Sequence, residues 1–412
     1  MNKACIVSIG NEILSGQTVD TNAAYLSRQL LSIGIPVVGF YTVPDETDAI
    51  VRALELAAAD ADIVLATGGL GPTDDDLTRQ AFSEFLGVEL QSHDELLQKM
   101  EDFFVGRNLK MPEKNKIQAY IPAGAKALPN NLGTAPGIMA KVNEKLLVAL
   151  PGVPSEMKQM LEKSVLPELR QLPGRQAVAV RKLKCFGAGE STIAELLGPV
   201  MRRGRNPLIN CTVKYGVINL DIIATAQNTN MAHQMADNDE KSLRKTLGEL
   251  VFGAAEQTLA EVVGQELARQ KKTLAVAESC TGGTLAGLLT GIPGASRYFT
   301  YGWVTYGNNA KISQLGIPAD LLEKYGAVSE QVAVAMARAA RKKAEADFAI
   351  AITGIAGPTG GTEQKPVGLV HISVDSNNGC QTKRCLFSHD RKYIRLRAAQ
   401  TALNMLRLIL EI

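Results

Sequence analysis

The chain has 412 residues, 46% of them hydrophobic and 21% charged, with a net charge of +2. The length predicts two or three domains, and the near-neutral charge gives no pull toward nucleic acid or an anionic membrane. Six scattered cysteines with no C-x-x-C pair, and only four histidines, argue against a disulfide framework, a zinc site or a histidine-rich metal centre.

The first 170 residues alternate strand and helix. A strand over Ala4–Ile9 precedes a helix over Thr21–Ile33, a strand over Pro36–Thr42, a helix near Asp45–Ala59 and a strand over Asp62–Thr67. A helix over Leu77–Leu86 and a buried strand over Lys145–Leu150 complete the pattern, which predicts a parallel sheet with helices on both faces. No signal-peptide pattern and no membrane-length apolar run is visible, so a cytoplasmic location is expected.

Gln171–Gly174 reads as a linker. A small α+β segment over 175–252 follows: a strand over Ala177–Phe186, a helix over Glu190–Val200, two hairpin-like strands (Leu208–Val213 and Gly216–Ala226) and a polar helix over Ala232–Leu247. The order suggests an RNA-binding KH module, but a G-x-x-G loop flanked by basic residues is missing, and no direct nucleic-acid contact is expected.

A second α/β unit spans 257–412. Helix Thr258–Gln270 leads into strand Thr273–Ala277, which stops at Glu278-Ser-Cys-Thr-Gly-Gly283 just before the helix Thr284–Gly291. Strands over Arg297–Thr305, Asp347–Thr353, Val367–Val374 and Thr382–Ser388 are predicted, with helices over Ser329–Ala346 and Asp390–Leu410. The fold class is α/β: two doubly wound three-layer αβα domains joined by a small α+β middle domain.

Ser279 stands where ligands of open α/β sheets bind, and the N–H groups of Thr281, Gly282 and Gly283 are expected to be unpaired first-turn donors. This makes Ser279 the candidate nucleophile, with Cys280 as the rival. Three groups could serve as its base: His371 mid-strand, His389 in a polar turn, and Lys311, one crossover away. A lysine acts as a base only when neutral, which requires a pKa far below its ordinary value. The loop Thr353-Gly-Ile-Ala-Gly-Pro-Thr-Gly-Gly361 frees backbone at Gly354 and Gly357 to wrap a nucleotide. Arg391 and Arg395, one helical turn apart, suit a phosphate or form a surface pair.

In the first unit, Ala66-Thr-Gly-Gly-Leu-Gly-Pro-Thr-Asp-Asp-Asp-Leu-Thr78 places glycines beside three carboxylates. These residues could cap a helix or bridge a divalent cation to phosphate. Glu12 and the loop Pro151–Met157 occupy comparable strand-to-loop corners.

The segments Ala277–Gly283, Val304–Lys311, Gly326–Glu330, Thr353–Pro358 and Lys365–Gly368 closely resemble the nicotinamide mononucleotide deamidases that form the C-terminal domain of CinA proteins. The resemblance implies a Ser/Lys amidohydrolase that needs no cofactor, with Ser279 as nucleophile, Lys311 as base and Tyr306 assisting. Thr281, Gly282, Gly283, Asn308, Thr353, Gly354, Gly357 and Arg391 would bind substrate. The segments around Glu12, Gly68 and Pro151 resemble the molybdopterin-binding fold of the N-terminal half of CinA proteins, over about residues 1–170. That implies a metal-dependent ADP-ribose pyrophosphatase, with a divalent cation on Glu12, Asp74, Asp75 and Asp76, and Gly68, Gly69, Gly71 and Thr73 on the nucleotide. The alternative is a non-catalytic nucleotide- or pterin-binding or recruitment module. Nicotinamide mononucleotide and ADP-ribose are the expected partners, no membrane is expected, and a homodimer is.

Overall fold

The computed structural model describes residues 2–412. The chain forms two compact units, one running to Ala179 and including Thr225–His233, the other comprising Val180–Ala224 and Gln234–Ile412.

In the first unit the strands are β1 (Ala4–Ile9), β2 (Val37–Val43), β3 (Ile63–Thr67), β4 (Leu90–Ser92), β5 (Tyr120–Pro122), β6 (Lys126–Leu128), β7 (Gly137–Val142) and β8 (Lys145–Leu150). The helices are α1 (Asn11–Leu14), α2 (Thr21–Ser32), α3 (Thr47–Asp60), α4 (Thr78–Leu86), α5 (Asp94–Val105), α6 (Pro154–Met160) and α7 (Leu166–Leu169). The main sheet has the order β2-β1-β3-β8-β7-β6. Successive strand residues point to opposite faces, so β1 divides its apolar side chains between two cores. Ala4 and Ile6 join a core with Leu26 and Leu30 of α2, whereas Cys5 and Val7 join one with Ile50 and Leu54 of α3.

The sheet is mixed, not wholly parallel as the strand–helix alternation predicts. Strands β2, β1, β3 and β8 run parallel, but β7 pairs antiparallel with β8 and β6 antiparallel with β7. The cause is local. Asn143 and Glu144 adopt φ of 46° and 64°, a two-residue turn, and a two-residue connection can only join antiparallel neighbours.

The second unit holds most of a small sheet of β9 (Ala177–Cys185), β10 (Leu208–Lys214), β11 (Val217–Ala226) and β12 (Val251–Ala254), ordered β10-β11-β9-β12, with α8 (Glu190–Leu197) and most of α9 (Thr229–Leu247). Ile193 and Leu197 of α8 and Leu243 and Leu247 of α9 close its core.

The larger sheet comprises β13 (Leu274–Glu278), β14 (Phe299–Val304), β15 (Phe348–Gly354), β16 (Leu369–Ser376) and β17 (Gly379–Leu386), ordered β14-β13-β15-β16-β17. Its helices are α10 (Leu259–Gln270), α11 (Thr284–Thr290), α12 (Asn308–Leu315), α13 (Ala319–Tyr325), α14 (Glu330–Ala344) and α15 (Arg391–Ile409). Val276, Ile350 and Ile352 pack with Val263, Leu285 and Leu403 on one face; Ala275, Ala277, Ala349 and Ala351 pack with Leu315, Val332 and Met336 on the other. The small alanines let α14 approach the sheet closely. Strands β14, β13 and β15 are parallel, and β16 and β17 again extend the sheet antiparallel.

Candidate active site

Ser279 follows β13 directly, and its amide donates to the Ile352 carbonyl at 2.9 Å, so its backbone is held at the sheet edge. Strand alternation sends Cys280 into the apolar core with Val276 and Leu285, leaving Ser279 on the face that Lys311 shares. Burial pushes the Cys280 thiol up to about 12. It remains a neutral thiol, which is a poor nucleophile.

Lys311 projects from α12, reached from the neighbouring strand β14. Its Nζ lies 3.1 Å from Ser279 Oγ and donates to the carbonyls of Thr305 (2.8 Å) and Tyr306 (3.2 Å). The residue is 0% exposed, and burial lowers its pKa from the ordinary lysine value. Its hydrogen-bond partners are a hydroxyl and two carbonyls, none of which compensates a positive charge as a carboxylate would. Neither histidine competes as the base. His371 lies mid-strand opposite Thr353 and Arg384, with Nδ1 buried and without a partner among the described residues. His389 packs edge-on against Tyr393 at 4.6 Å.

Two of the three amides expected to be free are occupied. The Gly282 N–H donates to the Ser279 carbonyl at 3.1 Å, and the Gly283 N–H to Glu278 Oε2 at 3.0 Å. Glu278 is the residue that sequence reasoning missed. Its carboxylate is fully buried and also accepts from the N–H groups of Leu285 (3.0 Å) and Ala286 (2.8 Å). The start of α11 is therefore filled by the protein's own anion, and a substrate phosphate has no place there. Spacing gives no signal for it, because Glu278 lies five residues ahead of the N-cap Gly283 and not at the cap itself. The Thr281 amide has no acceptor among the described residues, and the Cys280 amide meets only its own thiol. They are the two donors left near Ser279.

The remaining predicted residues are placed variously. Tyr306 is 56% exposed, and its Oη accepts from Arg391 Nη2 at 2.7 Å. Arg391 Nη1 donates to the Gly357 carbonyl at 2.8 Å, so one guanidinium ties the glycine loop to Tyr306. The Thr353 hydroxyl is fully buried and donates to the Ala327 carbonyl, which turns it toward protein and not toward a ligand. Gly354 closes β15, where a Cβ would meet the Leu369 carbonyl at 2.6 Å; its glycine serves packing. Asn308 opens α12 and is exposed. Arg395 faces the nucleophile loop and bonds the Thr281 carbonyl.

In the first unit, the strand-to-loop corners of β1, β3 and β8 surround a cavity of about 730 Å³. Six carboxylates line it (Glu12, Asp20, Asp45, Asp75, Asp76 and Glu156), with no lysine, arginine or histidine. Burial, with Glu12, Asp75 and Asp76 nearby, raises the pKa of Asp45. Gly68 sits at φ +112°, and a Cβ there would strike the Ile9 carbonyl at 2.1 Å, so the corner requires glycine. Three of the loop amides are not free for phosphate as the glycine spacing suggested: the Gly68 N–H donates to the Leu150 carbonyl, and those of Gly71 and Thr73 go to Asp76. Asp76 accepts from the Gly71 N–H (2.8 Å) and the Thr73 N–H (2.9 Å), and the Thr73 hydroxyl lies within hydrogen-bond reach of both Asp75 and Asp76. Fully buried Arg79, unforeseen in the sequence, grips the Leu70 and Gly71 carbonyls at 2.6 and 2.7 Å from behind. Burial lowers its pKa to about 10. Gly69 accepts from the Thr78 N–H at 3.1 Å. Asn22 donates to Thr67 Oγ1 and the Gly152 carbonyl and holds the Gly68 and Gly152 corners together.

Three of the four predicted metal ligands, Glu12, Asp75 and Asp76, line this one cavity, and Asp74 does not. Asp74 points outward and pairs with Lys114 at 3.1 Å, with its side chain 93% exposed. Asp76 is engaged by the loop amides, and Asp75 by the Thr73 hydroxyl. Among the described residues no group of three or more His, Cys, Asp or Glu is arranged to hold a metal ion. No described helix is long and apolar enough to cross a membrane.

Three family models match this chain: the "Probable molybdopterin binding domain" over residues 5–171, the "Damage-inducible protein CinA KH domain" over 180–253 and the "CinA C-terminal domain" over 256–410. The middle match restores the KH likeness that the missing glycine loop had set aside. A CinA-like protein of Kosmotoga olearia is 41% identical over 406 residues, covering 98% of both chains. One of Dictyoglomus thermophilum is 41% identical over 402 residues, again covering 98% of each. Among solved structures, a competence/damage inducible protein of Agrobacterium tumefaciens is 42% identical and covers 37% of this chain and 94% of its own (TM-score 0.36). A CinA protein of Thermoplasma acidophilum, of unknown function, is 35% identical and covers 41% of this chain and 98% of its own (TM-score 0.38). With relatives this similar along nearly its whole length, the chain belongs to the CinA family.

Proposed function

We propose that this protein is a hydrolase of pyridine nucleotide recycling, whose second unit converts nicotinamide mononucleotide to nicotinate mononucleotide and ammonia. Ser279 Oγ attacks the carboxamide carbon while neutral Lys311 takes the hydroxyl proton. The Cys280 and Thr281 amides receive the developing oxyanion. Lys311 returns its proton to the departing nitrogen, which leaves as ammonia, and water then cleaves the acyl-enzyme to release the carboxylate. Tyr306, with Arg391 beside it, contacts the nucleotide.

The observation that carries this proposal is the 3.1 Å contact between Ser279 Oγ and a fully buried amine whose pKa is lowered. Purified protein supplied with nicotinamide mononucleotide tests it: the wild type releases ammonia and Lys311→Ala does not.

For the first unit we propose a metal-dependent ADP-ribose pyrophosphatase. The support is electrostatic: a diphosphate entering a cavity with six carboxylates and no basic side chain requires a counter-cation. A second possibility is a non-catalytic nucleotide- or pterin-binding module, favoured by the hydrogen bonds that already engage Asp75 and Asp76 with their own loop. Turnover of ADP-ribose with added divalent cation, against binding without turnover, separates the two.

We also propose a cytoplasmic homodimer. All six cysteines are free, and the outer strand β14 presents Tyr301 and Val304, each 54% exposed. Light scattering of the purified protein tests the dimer.

A further inference from the structure

The loop that carries Ser279 contains two consecutive left-handed residues, Gly282 at φ +55° and Gly283 at φ +91°. Glycine adopts these angles without strain, but the same freedom makes such a loop loose unless its peptide groups are held. Both sides of it are held by ionic groups. Glu278 takes the Gly283 amide, and Arg395 takes the carbonyls. Arg395 Nε and Nη2 donate to the Thr281 carbonyl at 2.9 and 2.6 Å, and Nη2 also donates to Thr284 Oγ1 at 3.0 Å. A Cβ at Gly282 would meet Arg395 Nη2 at 3.4 Å, so the guanidinium sits directly against the loop.

A planar guanidinium with two bonds to one carbonyl fixes that peptide group's orientation as well as its place. Fixing the Thr281 carbonyl also fixes the following amide, that of Gly282, on the Ser279 carbonyl. The Cys280 and Thr281 amides are engaged by no acceptor of another residue among the described ones.

We propose that Arg395 is a positioning residue for the nucleophile: it locks the Thr281 carbonyl so that the Ser279 hydroxyl and the Cys280 and Thr281 amides stay aligned, and it is not the phosphate ligand that its spacing from Arg391 suggested. This rests on the amide hydrolysis proposed above.

The experiment compares wild type, Arg395→Ala and Arg395→Lys on nicotinamide mononucleotide and on nicotinamide riboside, which lacks the phosphate. Covalent labelling of Ser279 by a fluorophosphonate, followed by mass spectrometry, supplies a readout that needs no substrate. Arg395→Ala is expected to lower kcat about 100-fold on both compounds, in the range seen when an oxyanion donor is lost. KM stays within about threefold, the pattern of a lost transition-state interaction. Labelling slows in parallel, Arg395→Lys is intermediate, and added guanidinium restores part of the Arg395→Ala rate. A KM increase confined to the nucleotide, with kcat and labelling unchanged, overturns the proposal and makes Arg395 a phosphate ligand. If wild type is labelled at Ser279 yet releases no ammonia, the substrate assignment falls, and the labelling rates of the variants still decide the role of Arg395. Should Arg395→Ala fail to fold, Arg395→Lys carries the same comparison.

Discussion

Lys311 Nζ and Ser279 Oγ meet at 3.1 Å inside the protein, although 32 residues separate them in the chain. The amine is fully buried with only a hydroxyl and two carbonyls for company, and burial lowers its pKa. Two measurable consequences follow from that one fact. The rate of ammonia release rises with pH and levels off as Lys311 loses its proton, at a pH below the ordinary lysine value of about 10.4. Stability follows the same group. Between the folded and unfolded pKa values the unfolded chain binds the extra proton, so stability rises with pH across that window, by at most about 1.4 kcal/mol per pH unit. In Lys311→Met the activity falls about 100- to 10,000-fold, as expected for loss of a proton-transfer group. Its stability no longer climbs with pH relative to wild type, and parallel curves for the two proteins in denaturant titrations across pH would sink the assignment.

The neighbouring residues Ser279 and Cys280 are expected to behave in opposite ways. Ser279→Ala removes the attacking oxygen and abolishes ammonia release. Cys280→Ala leaves the hydroxyl in place and keeps most of the activity, while the cavity in the core lowers stability by about 1–2 kcal/mol. Both are read from ammonia release and thermal melts; inactivation by Cys280→Ala at full stability would move the nucleophile by one position.

Much of this site was legible in the sequence because its chemistry is local to strand ends. The pairing of Ser279 with Lys311 comes from the resemblance of their segments, since the one-crossover spacing leaves His371 and His389 open as well, and the parallel pairing of β13 and β14 brings the two together. Hydrogen-bond occupancy was not legible. Whether a loop amide or carbonyl is free depends on which side chain folds back on it: Glu278 and Asp76 take amides and Arg79 takes carbonyls, and spacing alone does not show it. Arg395 illustrates the same limit, since a guanidinium one turn from another suits a phosphate or a backbone carbonyl equally well. The mixed strand directions were likewise hidden in the Asn143–Glu144 turn.

Glu278→Gln is expected to damage the fold and the nucleophile together. The carboxylate accepts three backbone amides, whereas a carboxamide offers a single acceptor oxygen and presents donors to the rest. Leaving a buried donor unpaired costs about 1–3 kcal/mol. The melting temperature should fall and fluorophosphonate labelling of Ser279 should slow. Unchanged values of both would show that the helix start does not depend on this charge.

The three consecutive aspartates of the first unit are expected to separate cleanly. Asp74→Ala changes little, because its pair with Lys114 is solvent-exposed, and such pairs contribute about 0–1 kcal/mol. Asp76→Ala frees the Gly71 and Thr73 amides and loosens the loop, which offsets the relief of repulsion from losing a carboxylate, so in chelator it binds ADP-ribose less tightly than Glu12→Gln. Glu12→Gln acts through charge. It removes one of six carboxylates around a cavity without a basic side chain, so it weakens repulsion of a diphosphate when cation is absent. Calorimetry of ADP-ribose binding in chelator should therefore show tighter binding to Glu12→Gln than to wild type, and the order should reverse when a divalent cation is added. Cation-dependent cleavage that persists unchanged in the double variant of Asp75→Ala and Asp76→Ala would remove these carboxylates from the cation site. Binding that ignores cation in every variant would leave the cavity to an uncharged ligand.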